Sequence, residues 1–285
     1  MSNLGGSWPF GDRTVHRMGY GAMQLAGPNA FGPPRDRDAA LAVLVAAVDA
    51  GVDHIDTSDY YGPFSVNDLI GEALGSRLDR VALVSKIGAL RDGKGNWLPA
   101  MSPEQLKQAV RDNCTRLGVS ALHAVNLRFM YGMAPTDGPV EPLLRPLMEM
   151  RDAGLVRHIG VSNATRGQID EARRLTDIVC VQNHYNLAHR TDDAMIDELA
   201  AGGIAYVPFF PLGGFSPLQS GVLDEVARDA GASSMQAALA WLLQRSPNIL
   251  LIPGTSSVAH LGENLAAVDL DLPEEAIARL NGIAG

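Results

Sequence analysis

Short apolar runs alternate along the chain with longer segments in which apolar residues recur every three or four positions. The runs predict strands and the longer segments predict amphipathic helices. The predicted strands lie near residues 17–21, 53–56, 81–86, 122–128, 156–162, 178–182, 204–209 and 249–253. The predicted helices lie near residues 36–50, 65–75, 103–117, 141–153, 165–175, 192–202, 219–230, 234–245, 259–267 and 273–282. Eight strands, each followed by a helix, favour an α/β fold with a closed parallel (β/α)8 TIM barrel over an open doubly wound sheet.

The polar segment before the first strand predicts an N-terminal hairpin over residues 7–16. Its centre, Phe10-Gly11-Asp12-Arg13, has the composition of a turn. No linker, repeat or low-complexity tract interrupts the alternation of strands and helices. We therefore predict one domain over residues 1–285, with a short C-terminal tail that ends at Gly285.

Alternation with a period of two indicates which strand residues face the inside of the barrel. The inward sets are His54 and Asp56, then Ala82, Val84 and Lys86, then Ala124, Asn126 and Arg128, and finally Ile178, Cys180 and Gln182. Every set ends in a polar residue at the carboxyl end of its strand, where barrel enzymes carry their chemistry. The pattern thus predicts a functional site at that end. His54 and His158 also fall on inward positions, and we expect both to be hydrogen-bonded core histidines.

Composition narrows the functional classes. Of the 285 residues, 46% are hydrophobic and 19% are charged, which is enough apolar surface for a full core. The net charge of −9 argues against binding to nucleic acid. Cys114 and Cys180 lie in apolar patterns without metal spacing, so we expect buried thiols in a reducing compartment. The start of the chain lacks a signal peptide pattern, and no apolar run is long enough to span a bilayer, so we predict a cytoplasmic protein without membrane partners.

The polar residues at the strand ends suit one kind of chemistry. A buried Lys86 needs a counter-ion, and Asp56 on the neighbouring strand can provide it. Tyr61 lies five residues after Asp56, and a lysine ammonium beside a phenol is expected to lower the phenol's pKa. Such a tyrosine can protonate a developing alkoxide, which suits carbonyl reduction. No Ser or Cys lies in a nucleophile motif, and His184 and His189 are isolated, so no metal site is expected.

The chain resembles the aldo-keto reductase family in five blocks that occur in the family's order. They are Asp56-Thr57-Ser58-Asp59-Tyr60-Tyr61-Gly62, Gly154 through Asn163, Val181 through Asn186, Pro211-Leu212-Gly213, and Ile252-Pro253-Gly254-Thr255 through Glu263-Asn264. The resemblance runs from Arg17 to about Asn264. It implies a barrel that binds NADPH across its rim and reduces a small-molecule aldehyde or ketone.

The resemblance also implies roles for individual residues. Tyr61 would be the general acid, with Asp56 and Lys86 tuning it. Ser162, Asn163 and Gln182 would hold the nicotinamide carboxamide, and Phe209 would stack under the ring. The remaining cofactor contacts would come from Gly21, Ala22, Met23, Asp56, Phe210, Leu212, Gly213, Gly254, Thr255, Ser256, His260, Glu263 and Asn264.

The sequence departs from the family at two places. Arg128 occupies the position where the family usually has a catalytic histidine. Its permanent charge would favour a substrate with an anionic or polar acceptor near the carbonyl; the alternative is a structural ion pair with Asp56. Gly254 and His260 stand where NADPH-preferring members often carry Lys and Arg. The serines and threonine near the last helix can still bind a phosphate, so NADPH is the predicted cofactor and NADH the alternative.

Two other functions remain open at the sequence level. One is a non-catalytic, dinucleotide-binding, redox-sensing subunit of the same fold; the intact Tyr61, Asp56 and Lys86 argue against it. The other is a lyase or isomerase that uses Lys86 as a Schiff-base nucleophile; the dinucleotide-binding blocks argue against that. For the assembly we expect a monomer or a weak homo-oligomer.

Overall fold

The structure is a computed structural model that describes residues 3–213 and 219–284. Its strands are β1 (Ser7–Phe10), β2 (Arg13–His16), β3 (Tyr20–Gly21), β4 (His54–Asp56), β5 (Ala82–Ile87), β6 (Ala89–Arg91), β7 (Trp97–Pro99), β8 (Leu122–Arg128), β9 (Val156–Ser162), β10 (Ile178–Gln182) and β11 (Ala205–Tyr206). Its α-helices are α1 (Arg37–Asp49), α2 (Ser65–Leu74), α3 (Pro103–Leu117), α4 (Glu141–Asp152), α5 (Arg166–Leu175), α6 (Asp193–Ala201), α7 (Gly221–Asp229), α8 (Ser234–Arg245), α9 (Val258–Ala266) and α10 (Glu274–Asn281). One short turn follows α10, and Gly285 lies outside the described residues.

Seven parallel strands form one curled sheet in the order β3-β4-β5-β8-β9-β10-β11. Residues 249–251 close it, because Ile249 bridges to Tyr206 on β11 and Leu251 bridges to Met18 just before β3. The amide of Gly19 also donates to the carbonyl of Leu251 at 2.8 Å. All eight predicted strand positions therefore take part in one ring, and the predicted barrel is confirmed.

Two apolar layers follow from the alternation along the strands. Side chains inside the barrel form one cluster: Phe10, Val15, Ala82, Val84, Ala124, Cys180, Ala205, Val207, Leu250 and Ile252. A larger cluster fills the space between the outer faces of the strands and the helices. Phe10 and Val15 come from the antiparallel hairpin of β1 and β2, which confirms the predicted hairpin and shows that it packs into the barrel interior.

One inward assignment is wrong. Ile178 packs in the outer cluster, whereas Cys180 packs inside the barrel. The register of β10 against β9 shifts between Ile178 and Val181, so the extra residue interrupts the period of two. The shift leaves Cys180 and Gln182 on the inner face, as predicted.

The helix boundaries agree with the sequence prediction to within two residues. Asp36 caps α1 by accepting a hydrogen bond from the amide of Ala39 at 2.9 Å. Ser102, Thr165 and Ser233 form reciprocal capping boxes at the starts of α3, α5 and α8. Among the described helices, none combines the length and apolar character needed to cross a membrane.

A second hairpin, formed by β6 and β7, follows the third barrel strand and was not predicted. Its turn accounts for its formation, because Asp92 accepts hydrogen bonds from the amides of Lys94 and Asn96 at 2.9 and 2.8 Å. The guanidinium of Arg91 lies 4.2 Å from the ring centroid of Trp97 across this hairpin. The hairpin thereby holds Trp97 beside the carboxyl end of the barrel.

Arg17 stabilises the seam where the barrel closes. Its guanidinium donates to the carbonyls of Leu243 and Ser246, both at 2.6 Å, and to those of Gly5 and Ile249, both at 3.2 Å. Burial lowers the pKa of Arg17 to about 10, so the side chain remains charged at neutral pH. One planar cation therefore joins the N-terminal segment, the end of α8 and the closing strand.

We expect Arg17→Lys to lower the free energy of unfolding by about 2 kcal/mol, because an ammonium cannot reach four carbonyls that point from different directions. Urea denaturation followed by circular dichroism measures this difference. The matched control is Arg111→Lys at an exposed position on α3, which should change stability by less than about 0.5 kcal/mol. Equal stability of the two variants would contradict the role given to Arg17.

Candidate active site

A cavity of about 650 Å³ opens where the carboxyl ends of the barrel strands meet. The sequence-predicted residues that line it are Gly21, Met23, Asp56, Tyr61, Lys86, Arg128, Asn163, Gln182, Phe209, Phe210, Leu212 and Gly254. All four predicted catalytic residues are among them. The fold therefore gathers side chains from distant parts of the sequence around one space.

A buried chain of polar contacts joins three strands at the base of this cavity. The ammonium of Lys86 pairs with one carboxylate oxygen of Asp56 and donates to the carbonyl of Thr57 at 3.0 Å. The amide nitrogen of Gln182 donates to the other oxygen of Asp56 at 2.8 Å. Asp56 thus has a partner on each oxygen, which offsets the cost of burying its charge.

Tyr61 lies beside this chain. The Lys86 nitrogen is 5.0 Å from the centroid of the Tyr61 ring. Burial raises the pKa of Tyr61 above its ordinary value of 10.0, the charge of Asp56 raises it further, and the charge of Arg128 opposes them. The direction contradicts the lowered pKa expected from the sequence, because removing the phenol from water outweighs the nearby cations. Tyr61 therefore keeps its proton at neutral pH.

Arg128 does not form the ion pair with Asp56 that the sequence left open, since the side-chain partners of Asp56 are Lys86 and Gln182. Its guanidinium instead lies 5.4 Å from the centroid of the Phe209 ring. Within the described part of the chain, no hydrogen bond or ion pair of that guanidinium is found. Its N–H groups thus remain available to a molecule in the cavity.

Three buried polar atoms at the carboxyl ends of β9 and β10 have no hydrogen-bond partner among the described residues: Ser162 Oγ, Asn163 Oδ1 and Gln182 Oε1. Ser162 and Gln182 are paired in register across β9 and β10. The backbone of Asn163 is left-handed, with φ of 55°, and its amide nitrogen donates to the carbonyls of Phe129 and Gly132. Asn163 and Gln182 thus each leave an acceptor oxygen unpaired, which suits an incoming amide group. Ser162 is fully buried and does not line the cavity.

Gly21 and Gly254 face each other where the first and last strands meet. A Cβ atom on Gly21 would lie 2.4 Å from the carbonyl oxygen of Ile252, and one on Gly254 would lie 2.7 Å from that of Gly21. Both positions therefore require glycine for barrel closure, whatever binds beside them. Ala22 is fully buried and does not line the cavity, whereas Met23 does.

Six further predicted cofactor contacts lie outside the main cavity. They are Gly213, Thr255, Ser256, His260, Glu263 and Asn264. Ser256 lines an adjoining cleft of about 290 Å³ that shares Met23 and Gln24 with the main cavity. Arg35 lines the same cleft, so the structure places a cation in that cleft that the sequence alone did not indicate.

Sequence reasoning missed an aromatic wall of the cavity. The rings of His184 and His189 stack with centroids 4.2 Å apart, and His184 stacks on Phe209 at 5.6 Å. The two histidines were judged isolated because neither has a recognisable motif around it. The remaining wall residues not assigned from the sequence include Gln24, Tyr60 and Met235. Trp97 at the start of β7 and Met133 in the segment after β8 also line the cavity, as their positions after barrel strands indicate.

Comparisons with known proteins agree with this geometry. The sequence model of the aldo/keto reductase family matches residues 17–284. A pyridoxine 4-dehydrogenase of Escherichia coli is 59% identical over 280 residues, which cover 98% of each chain. An uncharacterized oxidoreductase of Schizosaccharomyces pombe is 36% identical over 97% of this chain and 89% of its own length. The solved structure of a thermostable aldo-keto reductase with the inhibitor epalrestat superposes with a TM-score of 0.82 at 28% identity, covering 97% of this chain and 99% of that one.

Asp59 is a buried carboxyl group in the loop that carries Tyr61. It accepts a hydrogen bond from the hydroxyl of Ser58 at 3.3 Å. Burial raises the pKa of Asp59 to about 7, and the Ser58 hydrogen bond opposes that shift only in part. The folded protein therefore holds a proton at Asp59 that the unfolded chain releases at lower pH.

Since the folded-state pKa is raised, Asp59 destabilises the fold progressively as pH rises from about 4 through about 7. We expect the wild type to lose about 2–3 kcal/mol more stability than Asp59→Asn between about pH 5 and pH 8. Urea denaturation across this range measures the difference. Asp68→Asn, an exposed carboxylate on α2, is the control and should follow the wild type. Parallel profiles for wild type and Asp59→Asn would show that Asp59 does not titrate in this range.

Proposed function

Because the chain belongs to the aldo/keto reductase family, we propose that it interconverts an aldehyde or ketone and the corresponding alcohol, with Tyr61 as the proton donor for reduction. Family membership makes it an NAD(P)H-dependent oxidoreductase. The observation that carries the proposal is the joint lining of one cavity by Tyr61, Lys86, Asp56 and Arg128. A protonated phenol and an available guanidinium there face the space that a carbonyl oxygen would occupy.

The residues of the cavity fit a nicotinamide cofactor. A carboxamide offers two N–H donors, which complement the unpaired oxygens of Asn163 and Gln182 that line the cavity. Phe209 provides an aromatic face beside them. When bound, the dinucleotide supplies the hydride. Aldo-keto reductases of Klebsiella pneumoniae that share the fold hold NADP and NADPH in their solved structures.

NADPH is the proposed cofactor, with NADH as the alternative. Residues 254–264 contain no Lys or Arg. Arg35, however, lines the cleft of Ser256, and Ser257 caps the start of α9 nearby. A guanidinium with hydroxyl and backbone donors is a suitable environment for a 2′-phosphate. Arg35 therefore supports the NADPH assignment in place of the Lys and Arg that many family members carry after the last strand.

The protonation of Tyr61 defines its role in reduction. With its pKa raised by burial, the phenol is protonated at neutral pH and can donate to a carbonyl oxygen as negative charge develops there. Lys86 stabilises the phenolate left behind, and Asp56 and Gln182 hold Lys86 in position. A Schiff-base role for Lys86 is less favourable, because an ammonium paired with a buried carboxylate is not a nucleophile.

Arg128 indicates the class of substrate. Its donors favour a carbonyl compound that carries an anionic or strongly polar oxygen beside the carbonyl. Pyridoxal has this chemistry, because its acidic ring hydroxyl is adjacent to the aldehyde carbon. Together with the likeness to the E. coli pyridoxine 4-dehydrogenase, this makes pyridoxal and pyridoxine the proposed substrate pair.

We expect Tyr61→Phe to lower turnover of pyridoxal by about 100-fold or more, because the proton donor is lost. Fluorescence titration should give the same Kd for NADPH in the wild type and in Tyr61→Phe. In both of these proteins NADH should bind more weakly than NADPH. Wild-type NADPH binding with no turnover on any aldehyde would instead favour the redox-sensing subunit. Undiminished turnover by Tyr61→Phe would contradict the assigned proton donor.

We expect Arg128→His to lower kcat/KM for pyridoxal by about tenfold or more, through loss of a charged hydrogen bond. 3-Deoxypyridoxal is the matched substrate, because it differs from pyridoxal only in lacking the ring hydroxyl next to the aldehyde. Its kcat/KM should fall much less. Equal losses of kcat/KM for both substrates would show that Arg128 does not bind the ring hydroxyl next to the aldehyde.

A further inference from the structure

Asp12, His123 and His158 meet at the amino-terminal end of the barrel, opposite the cavity of the active site. Asp12 lies in the turn of the N-terminal hairpin, and the two histidines lie near the starts of β8 and β9. One oxygen of Asp12, Oδ1, is 2.8 Å from His158 Nε2 and 3.4 Å from His123 Nδ1. The three ligand atoms lie within 4.8 Å of one another.

The hydrogen bonds around the histidines leave one ring nitrogen, Nδ1 of His123, as an unpaired acceptor. Nε2 of His123 is 2.8 Å from the carbonyl oxygen of Phe10, so this nitrogen carries the hydrogen and Nδ1 has a lone pair. Nε2 of His158 is 3.0 Å from the amide nitrogen of Asp12 and 2.8 Å from Asp12 Oδ1, so it accepts from the amide in one tautomer and donates to the carboxylate in the other. The lone pair of His123 Nδ1 faces Asp12 Oδ1, which is itself an acceptor. His123 is only 4% exposed, and its Nδ1 has no hydrogen-bond partner among the described residues.

A cation placed between Asp12 Oδ1 and His123 Nδ1 gives these two acceptors a common partner. A metal ion needs neutral imidazoles and a carboxylate, and the hydrogen bond of His123 Nε2 to the carbonyl of Phe10 leaves Nδ1 of that imidazole to act as a ligand. Zinc bonds of about 2 Å at tetrahedral angles separate ligand atoms by about 3.3 Å. The two distances from Asp12 Oδ1 bracket that value.

We propose that Asp12, His123 and His158 form a site for a divalent transition cation such as Zn²⁺, which fastens the N-terminal hairpin to the barrel. Two imidazoles and one carboxylate, with the exposed side of Asp12 open to a water ligand, form a donor set that zinc prefers. Sequence spacing revealed no metal motif, because the three ligands are separated by more than 30 residues along the chain and meet only in the folded barrel.

The surroundings of the site agree with this role. Gly11 has a φ of +65°, and a Cβ atom there would lie 2.3 Å from the His158 ring, so only glycine lets the hairpin turn rest on that imidazole. Arg157 contacts the other oxygen of Asp12, Oδ2, at 3.3 Å and leaves Oδ1 directed at the histidines. The Arg157 side chain is half exposed, so its charge is screened by water and can move away from a bound cation.

The test is zinc binding to the full-length protein after treatment with a chelator. We expect one Zn²⁺ per chain in competition with a chromophoric chelator, tetrahedral visible bands when Co²⁺ replaces zinc, and a zinc-dependent rise in Tm. Asp12→Asn and His158→Gln should each weaken zinc binding by about tenfold or more. Asp12 is in an exposed turn remote from the active site, so Asp12→Asn should fold and keep the wild-type turnover.

His16→Gln is the matched control, because His16 pairs with Asp53 at 2.8 Å but has no third metal-ligating residue nearby among the described residues. It should bind zinc as the wild type does. Equal zinc affinity in the wild type and Asp12→Asn would locate the metal elsewhere, for instance at His184 and His189, and would overturn the proposal. The absence of stoichiometric binding to the wild type would also overturn it, and neither result depends on the substrate or cofactor assigned above.

Discussion

Closure of the parallel sheet is the constraint on which the rest of this structure depends. Backbone hydrogen bonds from residues 249–251 to β11 and to the segment before β3 complete the ring. A closed ring has no free edge, and it brings the carboxyl ends of all strands to one side. The close approach of the backbones at the seam explains why glycine is required at positions 21 and 254. The four carbonyls at that seam explain why an arginine is placed at position 17. Without closure, Asp56 and Gln182 would not be neighbours.

The inside of the ring changes from apolar to polar along its axis. Alanine, valine and leucine side chains fill its middle, whereas Lys86, Asp56 and Gln182 form a hydrogen-bonded polar chain at the carboxyl end. At this end, burial strengthens the attraction between the charges of Lys86 and Asp56, and it favours the neutral form of the Tyr61 phenol. The proposed proton donor and the proposed stabiliser of its phenolate thus result from the same low-dielectric environment.

The two ends of the barrel are occupied differently. The carboxyl end is an open cavity with unpaired acceptors and an available guanidinium, as a binding site requires. The amino end is covered by the N-terminal hairpin, which inserts Phe10 and Val15 and presents Asp12 to two histidines. A proposed cation at that end would stabilise the hairpin without approaching the catalytic residues. Stability and chemistry are thereby separated along one axis, as in other barrels.

Much of the fold and part of the site could be predicted from the sequence. Helix periodicity and capping residues are local, so the boundaries of α1 to α10 agree with the prediction. The polar ends of β4, β5, β8 and β10 were identified because alternation with a period of two is also local. Ile178 was misassigned because a register shift depends on the partner strand.

The tertiary structure alone decided what depends on burial and on distant neighbours. It determined that the pKa of Tyr61 is raised, because desolvation depends on what the fold packs around the phenol. It added Gln182 as a second partner of Asp56 and left Arg128 without a hydrogen bond or ion pair among the described residues. It also stacked His184 on His189, placed Arg35 in the cleft that Ser256 lines, and brought Asp12 to His123 and His158. No spacing in the sequence encodes these contacts, because their partners meet only when the ring closes.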